Sequence, residues 1–159
     1  MNRTLAFTSI AIFSIFLGSQ ITEGFLLVPY WKTLSKTAFY EYYSKFGPII
    51  GRFYTILTVI AVLIPLSISI HCFSKKSRAL KYSVVSSFFA FLIITIFYIY
   101  FKDTNQKLYE ATFDANRLKP VLETWEYMHW VRVLLEVLSL VFLILSINIL
   151  SNKKRTIDT

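Results

Sequence analysis

Five residues in the last quarter of the chain carry its sharpest chemical signal: Trp125, His129, Arg132, Glu136 and Ser139. On a helix, at about 100° per residue, their +4, +3, +4, +3 spacing places them on one stripe roughly 80° wide. Phe142, Leu145 and Leu138 fall off that stripe. An imidazole can move a proton near neutral pH, a guanidinium can hold a developing oxyanion, and a carboxylate can orient the guanidinium. Trp125 adds a surface on which a ring can stack. Such groups are costly inside an apolar run unless they face other helices, so the stripe predicts partners.

The first apolar segment offers Ser19 and Glu23, one turn apart, with Gly18 and Thr22 beside them. Glu23 lies about 12 Å along the helix from Trp31 at 1.5 Å per residue. The second apolar segment begins Gly51-Arg52 at a similar depth. Glu23, Arg52, His129, Arg132 and Glu136 are therefore expected in one layer beneath the outer interface. Two carboxylates would balance two guanidiniums, leaving His129 to titrate. The layer admits three readings: an ion-pair network that fixes helix register, a ligand pocket that opens outward, or a metal site. One histidine and two carboxylates on separate helices give no diagnostic metal spacing, and no nucleophile–base pair or phosphate-binding glycine loop is visible.

The elements that must position these groups follow from composition. The chain has 159 residues, 55% of them apolar and only 16% charged, with a mean hydropathy of +0.56. Soluble domains carry about 25% charged residues. Four segments reach the roughly 20 apolar residues of a membrane span: 4–31, 49–73, 80–101 and 122–151. They predict an all-α fold, a four-helix transmembrane bundle running up-down-up-down in one membrane domain. Residues 32–48 and 102–121 would form outer loops, and 74–79 an inner one. The Phe39-Tyr40-Glu41-Tyr42-Tyr43 run suits a short interfacial helix. Leu108, Ala111/Thr112, Ala115 and Leu118 have a spacing that could cap the bundle. Gly47-Pro48 and Lys119-Pro120 mark turns into the second and fourth spans.

Met1 to Ser19 has the shape of a signal peptide, but apolar character resumes at Phe25 and closes on the interfacial pair Tyr30-Trp31, which favours a retained helix. The net charge of +8 is spread along span ends, which suits anionic lipid rather than nucleic acid. Arg3, Lys75, Lys76, Arg78, Lys81, Lys153, Lys154 and Arg155 crowd one side. Lys32, Lys36, Lys45, Lys102, Lys107, Arg117 and Lys119 are diluted over longer loops on the other. That density predicts a multi-pass protein of a cell membrane, a bacterial inner membrane by its wealth of Ile, Lys and Phe, with both termini cytoplasmic. Cys72 is the single cysteine, so no intramolecular disulfide or redox pair can form. His71 beside it reads as interfacial. Gly51, Thr55, Thr58, Pro65 and Ser69 form one small-residue stripe, and Ser83, Ser86, Ser87 and Ala90 another, both suited to close helix packing.

The segment Trp125-Glu126-Tyr127-Met128-His129-Trp130-Val131-Arg132, with Asn105 at the outer end of the third span, resembles a family of small four-helix membrane proteins described as anthrone oxygenase-like. The family pattern maps onto Asn105, Trp125, His129 and Arg132, and the Gly18–Gly24 region followed by Phe25 and Pro29 resembles its glycine-containing first helix. Glu23 has no counterpart in that pattern. The resemblance implies oxidation of an anthrone to an anthraquinone by molecular oxygen, with neither metal nor flavin as cofactor.

Taken with the resemblance, these residues imply an oxidoreductase-like enzyme acting on a hydrophobic, aromatic or quinone-like molecule. His129 would be the base, Arg132 the oxyanion stabiliser, Glu136 the group that orients Arg132, and Trp125, Glu23, Arg52 and Asn105 would hold the substrate. The alternative is a non-catalytic membrane subunit or ligand-binding module. An ion-coupled carrier fits less well, because Val137 to Leu150 offers only Ser139, Ser146 and Asn148 as polar groups. Lipid is an expected partner, whereas a protein partner is not specified.

Overall fold

A computed structural model describes the backbone of residues 3–155 and the side chains of residues 4–151. Arg3, Lys153, Lys154 and Arg155, which entered the charge comparison above, have side chains outside the described residues. The described chain forms four long helices without strands. Helix α1 covers residues 3–33, α2 covers Lys36–Ser74, α3 covers Leu80–Tyr109 and α4 covers Ala115–Arg155. All four are long and apolar enough to cross a bilayer. Each packs on its neighbour in sequence and α1 closes on α4, giving the up-down-up-down bundle of a multi-pass integral membrane protein. One end holds the start of α1 and the end of α4 and is called the terminal end. The other, with the 34–35 and 110–114 connections, is the far end.

Two of the expected loops are mostly helix. At 39 residues, α2 is about 58 Å long, roughly twice the hydrocarbon thickness, so its first turns project past the lipid. Ser35 caps this early start, its Oγ accepting from Ala38 N at 3.3 Å. The cause is apolar: Phe39 and Tyr43, one turn apart, are buried against Trp31. The Phe39–Tyr43 run is therefore the upright start of α2 rather than a separate surface helix. Pro48 lies inside α2, and Gly47-Pro48 makes no turn. Likewise α3 runs on to Tyr109, and α4 starts at Ala115, with Asp114 Oδ1 accepting from Arg117 N at 2.8 Å. Lys119-Pro120 thus falls within α4. Tyr40 ties the remaining turn to α2, its hydroxyl donating to Phe113 O at 2.9 Å and accepting from Phe113 N at 3.2 Å.

The core has two apolar zones. Towards the terminal end, Phe13, Phe16, Ala61, Ile68, Leu143 and Ile147 pack together. Towards the far end the core is aromatic, with Trp31, Phe39, Tyr43, Phe101 and Trp125 at its centre. Trp31 is 2% exposed and Tyr30 48% exposed, so of the expected interfacial pair Trp31 belongs to the core and Tyr30 to the surface. Between the zones α3 and α4 approach through serine. Ser86 Oγ donates to Ser139 O at 2.7 Å, and Ser139 Oγ donates to Ser86 O at 3.0 Å. Ser83, Ser86 and Ala90 of the α3 stripe are buried as a packing surface, and Ser87 is half-buried. The α2 stripe divides: Pro65 and Ser69 are buried, whereas Gly51, Thr55 and Thr58 border an open cavity.

Candidate functional site

Local backbone geometry sets up the site. Both α1 and α3 widen into a single π-helical turn, at Glu23–Leu27 and at Phe97–Phe101. π turns recur at functional sites because they re-aim side chains. In α1 the cause is visible in the sequence. Pro29 has no N–H for Phe25 O, and its ring would crowd that carbonyl in a regular α turn. Gly24 lets α1 meet α4 there: a Cβ at this position would lie 2.7 Å from Trp130 Cζ2 and 3.0 Å from His129 Nε2.

Arg132 is the hub. Its Nη2 donates to Gln20 Oε1 at 2.5 Å, to His129 Nδ1 at 2.8 Å and to Glu23 Oε2 at 3.3 Å. Its Nε stands 4.0 Å from Glu136 Oε1, and the guanidinium carbon lies 4.6 Å from the centre of the Phe101 ring. Because Nδ1 accepts from Arg132, His129 Nε2 carries the proton and donates to Gln20 O at 2.9 Å. The His129 ring also lies parallel to Trp125, with an 11° interplanar angle and centroids 5.3 Å apart. Trp125 Nε1 donates to Asn105 Oδ1 at 2.8 Å. A chain of contacts therefore runs from Asn105 on α3 through Trp125, His129 and Arg132 on α4 to Gln20 and Glu23 on α1.

The structure brings together Glu23, His129, Arg132 and Glu136, with Trp125 and Asn105 adjoining. It does not bring Arg52, which is exposed and has no ion pair among the described residues. Arg52 faces away because the α2 surface facing the layer is made by Gly51, Tyr54, Thr55 and Thr58. The expected two-against-two balance is thus two carboxylates around one guanidinium. Gln20, fully buried, is the residue missing from the sequence reading. Its signal was present, since it is polar in an apolar run and sits three residues before Glu23, on the same helix face.

Beside this layer is a cavity of about 560 Å³ between α2 and α3, within the size range of small-molecule sites. Glu23, Trp31, Trp125 and Arg132 form its inner wall, and Tyr43, Gly51, Tyr54 and Thr58 are among the α2 residues along it. Asn105 lines it from α3. Its rim includes Val59, Tyr98 and Tyr109, about half or more exposed on the helix flanks. His129 and Glu136 do not line it. His129, with both nitrogens engaged and no exposure, is a positioning residue for Arg132 and not a group that can reach a ligand. All hydrogen bonds of Arg132 use Nη2, which leaves donors for a ligand. Among the described residues no three His, Cys, Asp or Glu side chains converge as a metal site would need. No family model, curated protein or solved structure matches the chain.

Proposed function

We propose that this membrane protein is an oxidoreductase-like enzyme that takes a hydrophobic, aromatic or quinone-like molecule from the lipid. One observation carries the reading: a cavity between α2 and α3 whose inner wall is a guanidinium, a carboxylate and two indoles. Apolar walls with a few convergent polar groups suit an apolar ring bearing oxygens. Arg132 would stabilise the oxyanion formed as a phenolic O–H or acidic C–H ionises. Glu23, on the cavity wall, takes the role of base in place of His129. Trp125 would flank the ring, and Asn105 would fix Trp125. The resemblance to anthrone oxygenase-like proteins agrees with this choice, with molecular oxygen as oxidant and the anthrone methylene becoming the second carbonyl as water is released.

The far end would face outward and both termini the cytoplasm of a bacterial inner membrane, a reading supported by the exposed Lys75, Lys76, Arg78 and Lys81 beside the terminal end. Impermeant thiol labelling of a cysteine placed at Tyr109, but not at Lys76, tests it.

The enzyme reading is tested by oxygen uptake with anthrones and hydroquinones in nanodiscs. Wild-type protein should turn over at least one of them, and Arg132→Gln should lose about 100-fold or more, as for loss of an oxyanion donor. Equal turnover by the two proteins would overturn it. A second reading is favoured by the direct hydrogen bonds from Arg132 and His129 to α1, which also serve a non-catalytic subunit whose charged layer only locks helices together. On that reading Arg132→Gln and Glu136→Gln lower bundle stability without touching any activity, and a stoichiometric partner co-purifies.

A further inference from the structure

The cavity extends along both α2 and α3. Along α2 its lining runs from Tyr43 to Val59, and along α3 from Ile93 to Tyr109. Each stretch rises about 24 Å at 1.5 Å per residue. A bilayer leaflet with its headgroup zone is about 20–22 Å deep, half of the whole. The cavity begins near the far end of both helices and stops close to their midpoints, so it has the depth of one leaflet.

Its polarity is graded in the same direction. Tyr43, Lys102, Asn105 and Gln106 lie towards the far end, whereas Thr58, Val59, Ile93 and Ile94 close it at mid-membrane. Trp31 stands beside Tyr43 at the far-end level, and Trp125, Glu23 and Arg132 follow towards mid-membrane. Trp31 is 2% exposed and its indole N–H has no acceptor among the described residues, unlike that of Trp125. A buried donor without an acceptor calls for an explanation, and an oxygen of a bound molecule would supply it. A compact ring at the level of Arg132 would leave the mid-membrane end of the cavity unfilled.

We infer that the occupant is a lipid of the leaflet: a ring head bearing carbonyl or hydroxyl oxygens, attached to a long alkyl or isoprenoid tail. The inference rests on the ring-binding reading above and adds the tail. The head accepts from Trp31 Nε1 and Arg132 while the tail runs down between α2 and α3 past Thr58 and Ile94. Such a molecule enters sideways, with head and tail already at the depths they keep in the bilayer.

The test compares a tailless naphthoquinone with the same ring carrying a long alkyl chain. Quenching of tryptophan fluorescence is read in nanodiscs, with affinities expressed as mole fraction in lipid so that partitioning cancels. The tailed compound should bind the wild type about tenfold more tightly, or some 1.4 kcal/mol. Thr58→Phe should abolish that preference while ring affinity stays within about twofold of its former value on the same scale. Val59→Phe, at an exposed position, serves the same purpose if Thr58→Phe does not fold. Equal binding of both compounds by the wild type would overturn the tail and leave the ring site intact. Binding of neither would overturn the ring site and the tail together.

Discussion

The two halves of the bundle solve the problem of polar groups in lipid differently. In the terminal half, polar side chains are small and answered: Ser86 and Ser139 exchange hydrogen bonds, Ser69 and Ser87 hydroxyls meet at 2.9 Å, and Ser146 Oγ reaches Ala79 O at 3.4 Å. In and above the charged layer the groups are large and several are unanswered. Gln20 Nε2, Trp31 Nε1, Arg132 Nε and both oxygens of Glu136 are buried without a hydrogen-bond partner among the described residues. Both π turns and the large cavity also lie there. The terminal half resembles a packed fastening. The far half keeps polar groups without hydrogen-bond partners, which cost stability; of these, Trp31 and Arg132 border the cavity, where a bound molecule would answer them.

The contrast breaks most visibly at Arg132. Arg132→Gln should cost about 100-fold in turnover and, by leaving two carboxylates buried without their cation, about 3–5 kcal/mol of stability; oxygen uptake and thermal unfolding of the purified protein check the two effects. Gly51→Leu separates function from fold. A Cβ at Gly51 meets nothing within 4 Å, and leucine is the better helix former, so the variant should lose naphthoquinone binding at least about tenfold with no loss of melting temperature. Gly24→Ala should disturb the α1–α4 contact, because its Cβ would meet Trp130 and His129. About 1–3 kcal/mol is the expected cost of such overpacking. Gly18→Ala, with nothing within 4 Å of its Cβ, is the matched control and should be neutral or stabilising in the same melt. In the terminal half Ser139→Ala should cost only about 0.6 kcal/mol, the average for a hydrogen bond between membrane helices, and leave quinone binding unchanged.

Much of the fold was legible because lipid makes hydropathy and length nearly sufficient. All four spans and the small-residue packing face of α3 follow from such patterns, though not that its partner is α4. The helical extensions past the membrane were not legible in that way. Phe39 and Tyr43 are apolar because they cover Trp31, a tertiary fact that a surface aromatic imitates. At the site, the α4 stripe and Glu23 could be read from spacing, since an ionisable residue in a span must find company. Arg52 could not be separated from them, because depth along a helix says nothing about which way a side chain faces. Nor could spacing reveal that His129 spends both nitrogens inside the network, or that Gly51 and Thr58 border a cavity while Pro65 and Ser69 pack.

The most direct measurement is photo-crosslinking with an azido-naphthoquinone in nanodiscs, followed by peptide mapping. Attachment should concentrate on the cavity wall at the level of Arg132, at Gly51 and Tyr54 of α2, Phe97 and Tyr98 of α3, and Trp125. Labels spread instead over the lipid-facing side chains of the terminal half, such as Phe73, Phe88 and Phe91, would contradict a ring site beside Arg132.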